Sequence, residues 1–562
     1  MMMQGVSIGT QLVHSASDLT SFLECEALVA LNLAALSDPT LAAQRVADDE
    51  STKLMADKGI AHEKAYLQHL RDQGKKLIDI AEVAGRDNAQ RLKATRQAMA
   101  DGVEVIYQAA LGQDDLMGHA DFLIRVDLPS ALGDWSYEVA DTKLARSAKA
   151  KFLVQLSFYG QLLSAEQGVA PQNMHVVLGD QSMASYRCAD YDFYVKRLLA
   201  RYRLMVDQLR QGTRASAYPL PCAHCPQCHW RAHCESRRTD DDHLSQIAGI
   251  RKQNIVKLES AGVHTMAALA HLPPDTRVPS LHQETLTQLQ RQAKLQTKGK
   301  QDSQLHLELL PVLPDALRGF ARMPVPDEGD LFFDMEGNPL QDGGLEYLFG
   351  LWFNQEDQWQ FKAFWAHDRA QEQRAFEACI DFIMARWQQF PRMHVYHYAS
   401  YEETAFKRLA CTHATREREL DDLLRGQVLV DLYKVVREAL CISQPSYSIK
   451  YVEHFYRGSR GGDVTNAGAS IVFYERWRDT GEAQLLQDIE DYNRDDVEST
   501  QQLRDWLLGL RAKDMPWRET PPFASASADA PDQAKGDTAQ DSEANSGPSA
   551  KTLQVQVRLA KY

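Results

Sequence analysis

A short segment in the first half of the chain, from Pro221 to Cys234, holds four of the nine cysteines in the sequence PCAHCPQCHWRAHC. The spacing C-x2-C-x2-C-x5-C brings thiolates together without long loops, so it suits one metal ion or cluster better than a set of disulfides. The pattern predicts a metal site but does not distinguish iron–sulfur from zinc. A zinc knuckle that only stabilises a loop is the alternative to a functional cluster.

The composition is that of an ordinary globular protein, with 562 residues of which 44% are hydrophobic and 25% charged. This length suggests about three or four domains. The N-terminus lacks a basic segment followed by an apolar run, and no stretch approaches the roughly twenty apolar residues that span a bilayer. Because the cysteines outside the cluster occur singly, as in a reducing compartment, we expect a cytoplasmic protein without a membrane partner.

The charge is unevenly distributed along the chain. The net charge of -15 argues against a general binder of polyanions. The segment from Lys196 to Lys257, however, contains twelve Lys and Arg residues but only five acids. This local excess around the cysteines predicts a surface that contacts phosphates, with a solvated helix face as the alternative.

Three β-like runs in the first part of the chain carry an acidic pattern: Val103 to Ala109, Met117 to Asp127, and Trp135 to Thr142. The second run contains Asp121, and the third leads through Asp141 to Lys143. Two carboxylates on neighbouring strands can hold Mg²⁺ or Mn²⁺, and a lysine beside them can orient or deprotonate the water that attacks a phosphodiester.

Two helical stretches flank these strands and add further candidate residues. His62 lies in the earlier stretch, where a lone histidine is more often structural than a ligand. Gln155 and Tyr159 lie one turn apart in a helix expected from Ala148 to Ala165.

The candidate residues of the strands and helices occur in a fixed order and are followed by cysteines: His62, Asp121, Asp141, Lys143, Gln155 and Tyr159. This ordered set resembles the motifs of the PD-(D/E)XK nucleases of the RecB type. More narrowly it resembles their iron–sulfur branch, which includes AddB-type and CRISPR-associated exonucleases. That resemblance implies catalytic roles for the whole set, with metal ligands at His62, Asp121 and Asp141. It also implies a [4Fe–4S] cluster held by one early and three late cysteines: Cys25, Cys225, Cys228 and Cys234. Cys222 is then surplus, which keeps open a local zinc site formed with the three late cysteines.

The middle of the chain contains a bridge and an expected linker. Leu244 to Leu272 resembles a helix-hairpin-helix, whose turn amides meet the nucleic-acid backbone, and a plain helical spacer is the alternative. The polar, Gln/Lys-rich segment from His282 to Gln301 is followed by several prolines, so we expect a linker there.

A second acidic pattern begins at Leu331. Two-residue periodicity places Asp334 and Glu336 on the same side of a buried strand, where two acids are costly unless they bind something. A metal ion is the simplest partner. Two more strands, a helix and another strand follow, which is the β-β-β-α-β order of a ribonuclease-H-like sheet.

Three further residues complete a resemblance to the DEDDy exonucleases, most closely the YprB-type ribonuclease-H-like group. These are Glu402 and the pair formed by Tyr492 and Asp496, which lie one turn apart on a late helix. The resemblance implies that the carboxylates of Asp334, Glu336, Glu402 and Asp496 hold two metal ions and that Tyr492 orients water. A glutamate in the second motif departs from the commoner pattern, and Glu403 is the competing candidate.

The chain is therefore expected to be a multidomain α/β protein. The expected parts are a restriction-endonuclease-like PD-(D/E)XK core with the cysteine cluster (1–240), a helix-hairpin-helix-like bridge (241–275), a linker (276–328), a ribonuclease-H-like DEDDy domain (329–512) and a disordered tail (513–562). The expected function is a metal-dependent nuclease, chiefly a 3′–5′ DNA exonuclease in repair or recombination. The alternatives are an RNA 3′-end exonuclease and a non-catalytic nucleic-acid-binding scaffold. Because no G-x-x-x-x-G-K-[ST] motif is present, any unwinding needs a separate helicase as partner.

Overall fold

The structure is a computed structural model that describes residues 12–311, 317–341, 343–458 and 467–519. Most of the expected disordered tail, from residue 520 onward, lies outside these ranges. Within them, no helix has both the length and the hydrophobicity needed to cross a membrane.

The N-terminal part is built on a mixed six-stranded sheet in the order β1-β2-β3-β4-β5-β6. The strands are β1 (Leu77–Asp79), β2 (Val105–Gln113), β3 (Leu116–Val126), β4 (Ser136–Thr142), β5 (Asn173–Val177) and β6 (Met183–Arg187). β2, β3 and β4, which correspond to the three expected runs, pair antiparallel, whereas β5 runs parallel to β4. The pairing of β3 with β4 sets Phe122 opposite Ala140, so Asp121 in the middle of β3 lies close to Asp141 near the end of β4.

Nine helices accompany this sheet within the described residues. They are α1 (Ala16–Glu24), α2 (Glu26–Ala34), α3 (Pro39–Ala42), α4 (Glu50–Asp72), α5 (Ile80–Ala84), α6 (Asn88–Ala100), α7 (Ala150–Gln167), α8 (Asp192–Arg210) and α9 (Arg231–Asp240). The main core lies on one face, where Leu19 of α1, Phe158 of α7 and Tyr202 of α8 are almost fully buried. On the other face, Tyr66 of α4 packs edge-on against Phe122 of β3.

The middle of the chain folds into three helices, α10 (Lys252–Ser260), α11 (Met266–Ala270) and α12 (Gln283–Asp302). The first two are joined by a turn in which Gly262 has a φ of +82°. The expectation of a linker without regular structure is wrong for α12.

The physical reason is that the glutamines of α12 are buried and bonded rather than solvated. Gln292 donates to the Ile442 carbonyl at 2.8 Å, and Gln296 accepts from the Ala248 amide at 2.9 Å. Leu286 and Leu289 of the same helix pack into a small core with α10 and α11. The polar composition did not predict this helix, because the partners of its glutamines lie far away in sequence.

The C-terminal part contains a five-stranded sheet in the order β10-β9-β8-β11-β12, plus a two-stranded sheet of β13 and β7. The strands are β7 (Leu307–Leu309), β8 (Leu331–Asn338), β9 (Leu345–Gln355), β10 (Gln358–Trp365), β11 (Val395–His397), β12 (Leu429–Asp431) and β13 (Leu440–Ile442). β8, β9 and β10 are antiparallel, and β11 lies parallel to both β8 and β12. This is the expected strand order.

Helices cover both faces of the five-stranded sheet. They are α13 (Arg369–Gln389), α14 (Tyr401–His413), α15 (Glu417–Arg425), α16 (Leu432–Ala439), α17 (Ile449–Val452), α18 (Ala467–Thr480) and α19 (Ala483–Leu510). Phe333 of β8 stacks on Phe406 of α14 on one face. Phe332 faces the opposite side and packs with Val497 and Leu503 of α19. Since side chains alternate along a strand, Asp334 and Glu336 also face α19.

Candidate functional site

Three acids form a compact group between β8 and α19. One carboxylate oxygen from each of Asp334, Glu336 and Asp496 lies within 4.8 Å of the others, and this is the one group of three potential metal ligands within the described residues. Two come from alternate positions of β8 and the third from a helix that crosses the sheet. Oxygen ligands at this spacing are what Mg²⁺ or Mn²⁺ requires, so the residues present fit a divalent cation.

The electrostatics of the group also favour a cation. Burial and the nearby charges of Asp496, Glu336 and Glu402 raise the pKa of Asp334 well above its ordinary value. Burial and the charge of Asp496 raise the pKa of Glu336 to about 8, although a hydrogen bond from Ser470 and the charge of Lys450 lower it in part. Acids held together against their mutual repulsion are stabilised in the ionised form by a bound cation.

Asn493 is a site residue that the sequence did not single out. Its Nδ2 donates a 2.8 Å hydrogen bond to Asp334 Oδ2 from the same helix that carries Asp496. Gly350 of β9, which pairs with Asp334, leaves the space into which Asn493 Oδ1 fits, since a Cβ there would collide with it. The available sequence indication was the position of Asn493 between Tyr492 and Asp496.

Glu402 lies near the group but outside it. It is buried, and its Oε2 lies 3.3 Å from His397 Nδ1. Burial lowers the pKa of His397, but the hydrogen bond and charge of Glu402 outweigh this and raise it. Glu403 is only partly buried and pairs with Lys407 at 2.5 Å, whereas the charge of Glu402 reaches Asp334, so the geometry favours Glu402 over Glu403. Tyr492 lies on α19 one turn before Asp496.

A second group lies where the middle of β3 meets the end of β4. Asp121 Oδ2 accepts hydrogen bonds from the amide and hydroxyl of Thr142 at 3.0 and 3.1 Å. Lys143 Nζ lies 2.5 Å from Asp141 Oδ2. Burial and the neighbouring Asp141 raise the pKa of Asp121 well above its ordinary value. For Lys143, burial lowers the pKa, but the charges of Asp141 and Asp121 outweigh it and raise the value.

Helix α7 brings the predicted glutamine and tyrosine to the same group. Gln155 Nε2 donates to Tyr159 Oη at 3.1 Å. Burial, together with the charges of Asp141 and Asp121, raises the pKa of this phenol, which shows that the ring lies near both acids. Gly118 of β3 makes the approach possible, because a Cβ there would lie 2.5 Å from the Tyr159 ring.

His62 does not complete a tight set of metal ligands. It is buried on α4, with no hydrogen-bond partner for Nε2, yet His62, Asp121 and Asp141 do not come within the 4.8 Å spacing that the other acids show in the described ranges. Glu63, which the sequence analysis passed over, accepts a hydrogen bond from Gln108, and its charge contributes to the raised pKa of Asp121. Its adjacency to His62 was the available indication.

The cysteines of the opening motif meet Cys25 in one cavity. Five thiols line it: Cys25, Cys222, Cys225, Cys228 and Cys234. Burial and neighbouring thiols, Cys25 among them, raise the pKa of Cys222 and of Cys234 to about 11. Such a cavity fits a metal or cluster, because the donors are soft and binding would deprotonate them.

Polar contacts tie the cysteine segment to α2, at whose N-terminus Cys25 lies. Trp230 is fully buried and donates from Nε1 to Asn32 Oδ1 at 2.8 Å, and His229 contacts the same oxygen at 3.0 Å. The Val46 amide also donates to the His229 carbonyl at 2.7 Å. The early helix and the late cysteines are thus joined within one local structure.

The sulfurs of Cys222 and Cys225 lie 3.8 Å apart. This is roughly the separation of two thiolates on one tetrahedral zinc ion, given Zn–S bonds of about 2.3 Å. The cavity therefore offers five thiols for a site that needs four, and both sets of four predicted from the sequence line it. Within the described residues, however, no three of these sulfur atoms all lie within 4.8 Å of one another.

Comparison with known proteins bears on the C-terminal part. A family model of the RNase H superfamily matches residues 331–508. This range runs from the start of β8 almost to the end of α19 and includes all the acids around Asp334. It is an RNase H-like domain, a class whose nucleases typically use Mg²⁺ or Mn²⁺ with acidic residues. A comparison of the chain with curated proteins finds no match.

Proposed function

We propose that this protein is a metal-dependent nuclease that hydrolyses phosphodiester bonds at DNA ends during repair or recombination. The observation that carries the proposal is the group of Asp334, Glu336 and Asp496 within the RNase H-like domain. In this proposal the domain is a DEDDy-type 3′–5′ exonuclease of the YprB kind. A separate helicase supplies single strands, and the protein acts in the cytoplasm.

In the RNase H-like site the carboxylates of Asp334, Glu336 and Asp496 would hold divalent ions, which when bound would supply Lewis-acid chemistry for phosphodiester hydrolysis. Asn493 fixes the orientation of Asp334, and His397 fixes that of Glu402. Tyr492, on the helix face that carries Asp496, orients the attacking water. Each of these protein groups is held on β8, β11, α14 or α19, which are regular elements of the fold.

The N-terminal part is proposed as a second nuclease centre of the RecB-like type. Asp121 and Asp141 would bind the cation with help from His62, and Lys143, whose raised pKa keeps it protonated, would orient water beside the phosphate. Gln155 and Tyr159 contact the substrate or the lysine from α7. Support comes from the convergence of these residues, apart from His62, where the middle of β3 meets the end of β4.

The cysteine cavity is proposed to hold a [4Fe–4S] cluster through Cys25, Cys225, Cys228 and Cys234, with zinc as the alternative metal. The cluster would stabilise the N-terminal domain by joining α2 to the segment before α9. Its location beside Trp230 and Asn32, away from the residues around Asp121, supports a structural role.

A cleavage assay on the full chain tests the proposal. Wild type, Lys143→Ala, Asp334→Asn and the double variant are incubated with Mg²⁺ or Mn²⁺ and end-labelled single-stranded DNA, double-stranded DNA and RNA. We expect each single variant to lose one component of the activity and the double variant to lose both. The label position shows polarity, and matched DNA and RNA oligomers show polymer preference.

Two results would overturn the proposal. Cleavage that survives in the double variant would show a contaminating nuclease. A wild-type protein that binds the oligomers but leaves all of them intact would support a non-catalytic scaffold.

A further inference from the structure

Arg146 lies on the loop that follows the N-terminal acidic pattern, three residues after Lys143, yet its guanidinium reaches the RNase H-like domain. Nη2 occupies the space that a Cβ of Gly344 would need. Gly344 has a φ of +67° and comes directly before β9. One domain therefore inserts an arginine beside the edge of the other domain's central strands.

Arg146 lies near two arginines of the RNase H-like domain, Arg408 and Arg369. Arg408 pairs with the buried Glu346, and Arg369 Nη1 lies 2.6 Å from Glu372 Oε2, which also accepts from His413. Arg146 itself forms no hydrogen bond or ion pair with the part of the chain that the structure describes. Burial and the neighbouring Arg408 lower its pKa, which Glu346 offsets in part. These three arginines outnumber the two glutamates with which they interact, so the net charge of the group is positive.

This group of arginines lies beside the candidate metal site. Glu346, whose charge reaches Arg146, is the β9 partner of Gly337, and its carboxylate occupies the space beside that glycine. Gly337 follows Glu336 directly. In the other direction along the chain, Arg146 lies five residues after Asp141. Arg146 therefore reaches the edge of the RNase H-like site from the loop that follows β4.

Contacts between α4 and α18 fix the two domains in this arrangement. Lys58 of α4 forms an ion pair with the buried Glu475 of α18, which also accepts a 2.5 Å hydrogen bond from Asn338 at the end of β8. Arg476 pairs with Glu50 at 3.2 Å nearby. Because Asn338 follows Glu336 by two residues, the interface holds the N-terminal domain directly at the edge of the site.

We propose that Arg146, together with Arg369 and Arg408, binds a backbone phosphate of the nucleic-acid strand that enters the RNase H-like site. The inference rests on the proposed function and deepens it, because the N-terminal domain then supplies a substrate-binding residue to the C-terminal site. A guanidinium that forms no ion pair within the described residues and lies beside two other arginines is suited to an anion. A phosphodiester near the acids is the anion that the proposed reaction provides. Arg146 acts as a positioning residue.

Binding is measured first, on the full chain made inactive by Lys143→Ala and Asp334→Asn, with fluorescently labelled oligodeoxythymidine and oligouridine. Adding Arg146→Ala should weaken binding about tenfold and reduce the slope of log affinity against log salt by about one, as expected for one lost phosphate contact. Arg146→Lys should recover part of the affinity. Arg425→Ala removes an exposed arginine that pairs only within α15, so it should bind as the parent does.

Kinetics are measured next in the Lys143→Ala background, where only the RNase H-like site is intact. Arg146→Ala should raise KM about tenfold with little change in kcat, because the phosphate contact is made equally in the bound substrate and the transition state. A higher KM on both polymers, or on one of them, supports the proposal and identifies the polymer whose phosphate is bound.

Unchanged affinity, salt slope and KM in Arg146→Ala would overturn the inference while the proposed function stands. A fall in kcat at unchanged affinity would also overturn it, since this would indicate a structural role. If the wild type neither binds nor cleaves any oligomer, the proposed function and the inference fail together.

Discussion

The two acidic groups of this protein balance their charge in different ways. In the N-terminal part, Lys143 forms an ion pair with Asp141 at 2.5 Å, so a cation is built into the site. In the RNase H-like domain, Asp334, Glu336 and Asp496 are grouped together, and Lys450 offsets only part of their repulsion. We therefore expect the second group to depend more strongly on divalent ions from solution.

The means of holding each part together differs as well. Aromatic side chains on both faces of a five-stranded sheet form the core of the RNase H-like domain. The N-terminal part has its own core but also joins α2 to the cysteine segment through a cavity lined by five thiols. We therefore expect metal loss to affect activity in one part and folding in the other.

The largest effect is expected at the cysteines. Cys25→Ser should lose the cluster and destabilise the N-terminal domain, whereas Cys222→Ser should retain it, because the resemblance assigns Cys25 and leaves Cys222 surplus. Anaerobically purified proteins are compared by visible absorbance, iron and zinc content, and thermal unfolding. The opposite pattern, with zinc lost in Cys222→Ser and retained in Cys25→Ser, would establish the local zinc site.

The next effect is expected at the second acidic motif. Glu402→Gln should lower activity of the RNase H-like site by about 10- to 100-fold, the range typical when groups that support a metal are removed. Glu403→Gln is the matched control, since Glu403 pairs with Lys407 away from the acids. Rates are measured in the Lys143→Ala background at several Mg²⁺ concentrations. A larger loss in Glu403→Gln would reverse the assignment.

A smaller effect is expected at Gly350. Gly350→Ala places a Cβ where Asn493 Oδ1 lies, so Asn493 must move and Asp334 loses its 2.8 Å hydrogen bond. We expect about tenfold weaker affinity for Mg²⁺, seen as a higher Mg²⁺ concentration at half-maximal rate in the same assay. This is the low end of the range for groups that support a metal ligand. Gly509→Ala, on α19 with open space around it, is the control and should leave activity unchanged.

The last effect is expected in stability against pH rather than in activity, at His394 in the RNase H-like domain. Burial, with the charge of Arg518, lowers the pKa of His394 to about 3. The unfolded chain then binds a proton below pH 6.5 that the folded chain does not, so wild-type stability falls as the pH falls from 6.5 toward 3. His394→Gln lacks this dependence.

Denaturant unfolding of wild type and His394→Gln at pH 7 and pH 5 measures the effect. Between pH 7 and pH 5, the free energy of unfolding of wild type should fall relative to that of His394→Gln by about 2 kcal/mol. Equal differences at both pH values would show that His394 titrates alike in the folded and unfolded states.

Local patterns in the sequence predicted much of the architecture. Strand periodicity predicted that Asp334 and Glu336 share a face, and the structure and the family match agree with an RNase H-like domain there. The order of strands around β8 was also predictable, because each strand is a separate apolar run. Helix α12 was not, because its buried glutamines find their partners in residues up to 150 positions away.

Residue type and spacing alone determined which side chains could bind metal: the clustered cysteines, the alternating acids of β8, and the acid–x–lysine pattern of β4. Only the tertiary structure decided which of them meet, because contacts such as Asn493 to Asp334 or Arg146 to Gly344 join residues more than a hundred positions apart. It placed Glu402 at the edge of the acidic group rather than in it and His62 outside a tight set of ligands. It also brought Cys25 and Cys222 to one cavity, so that the two alternative sets of four cysteines predicted from the sequence share the same location.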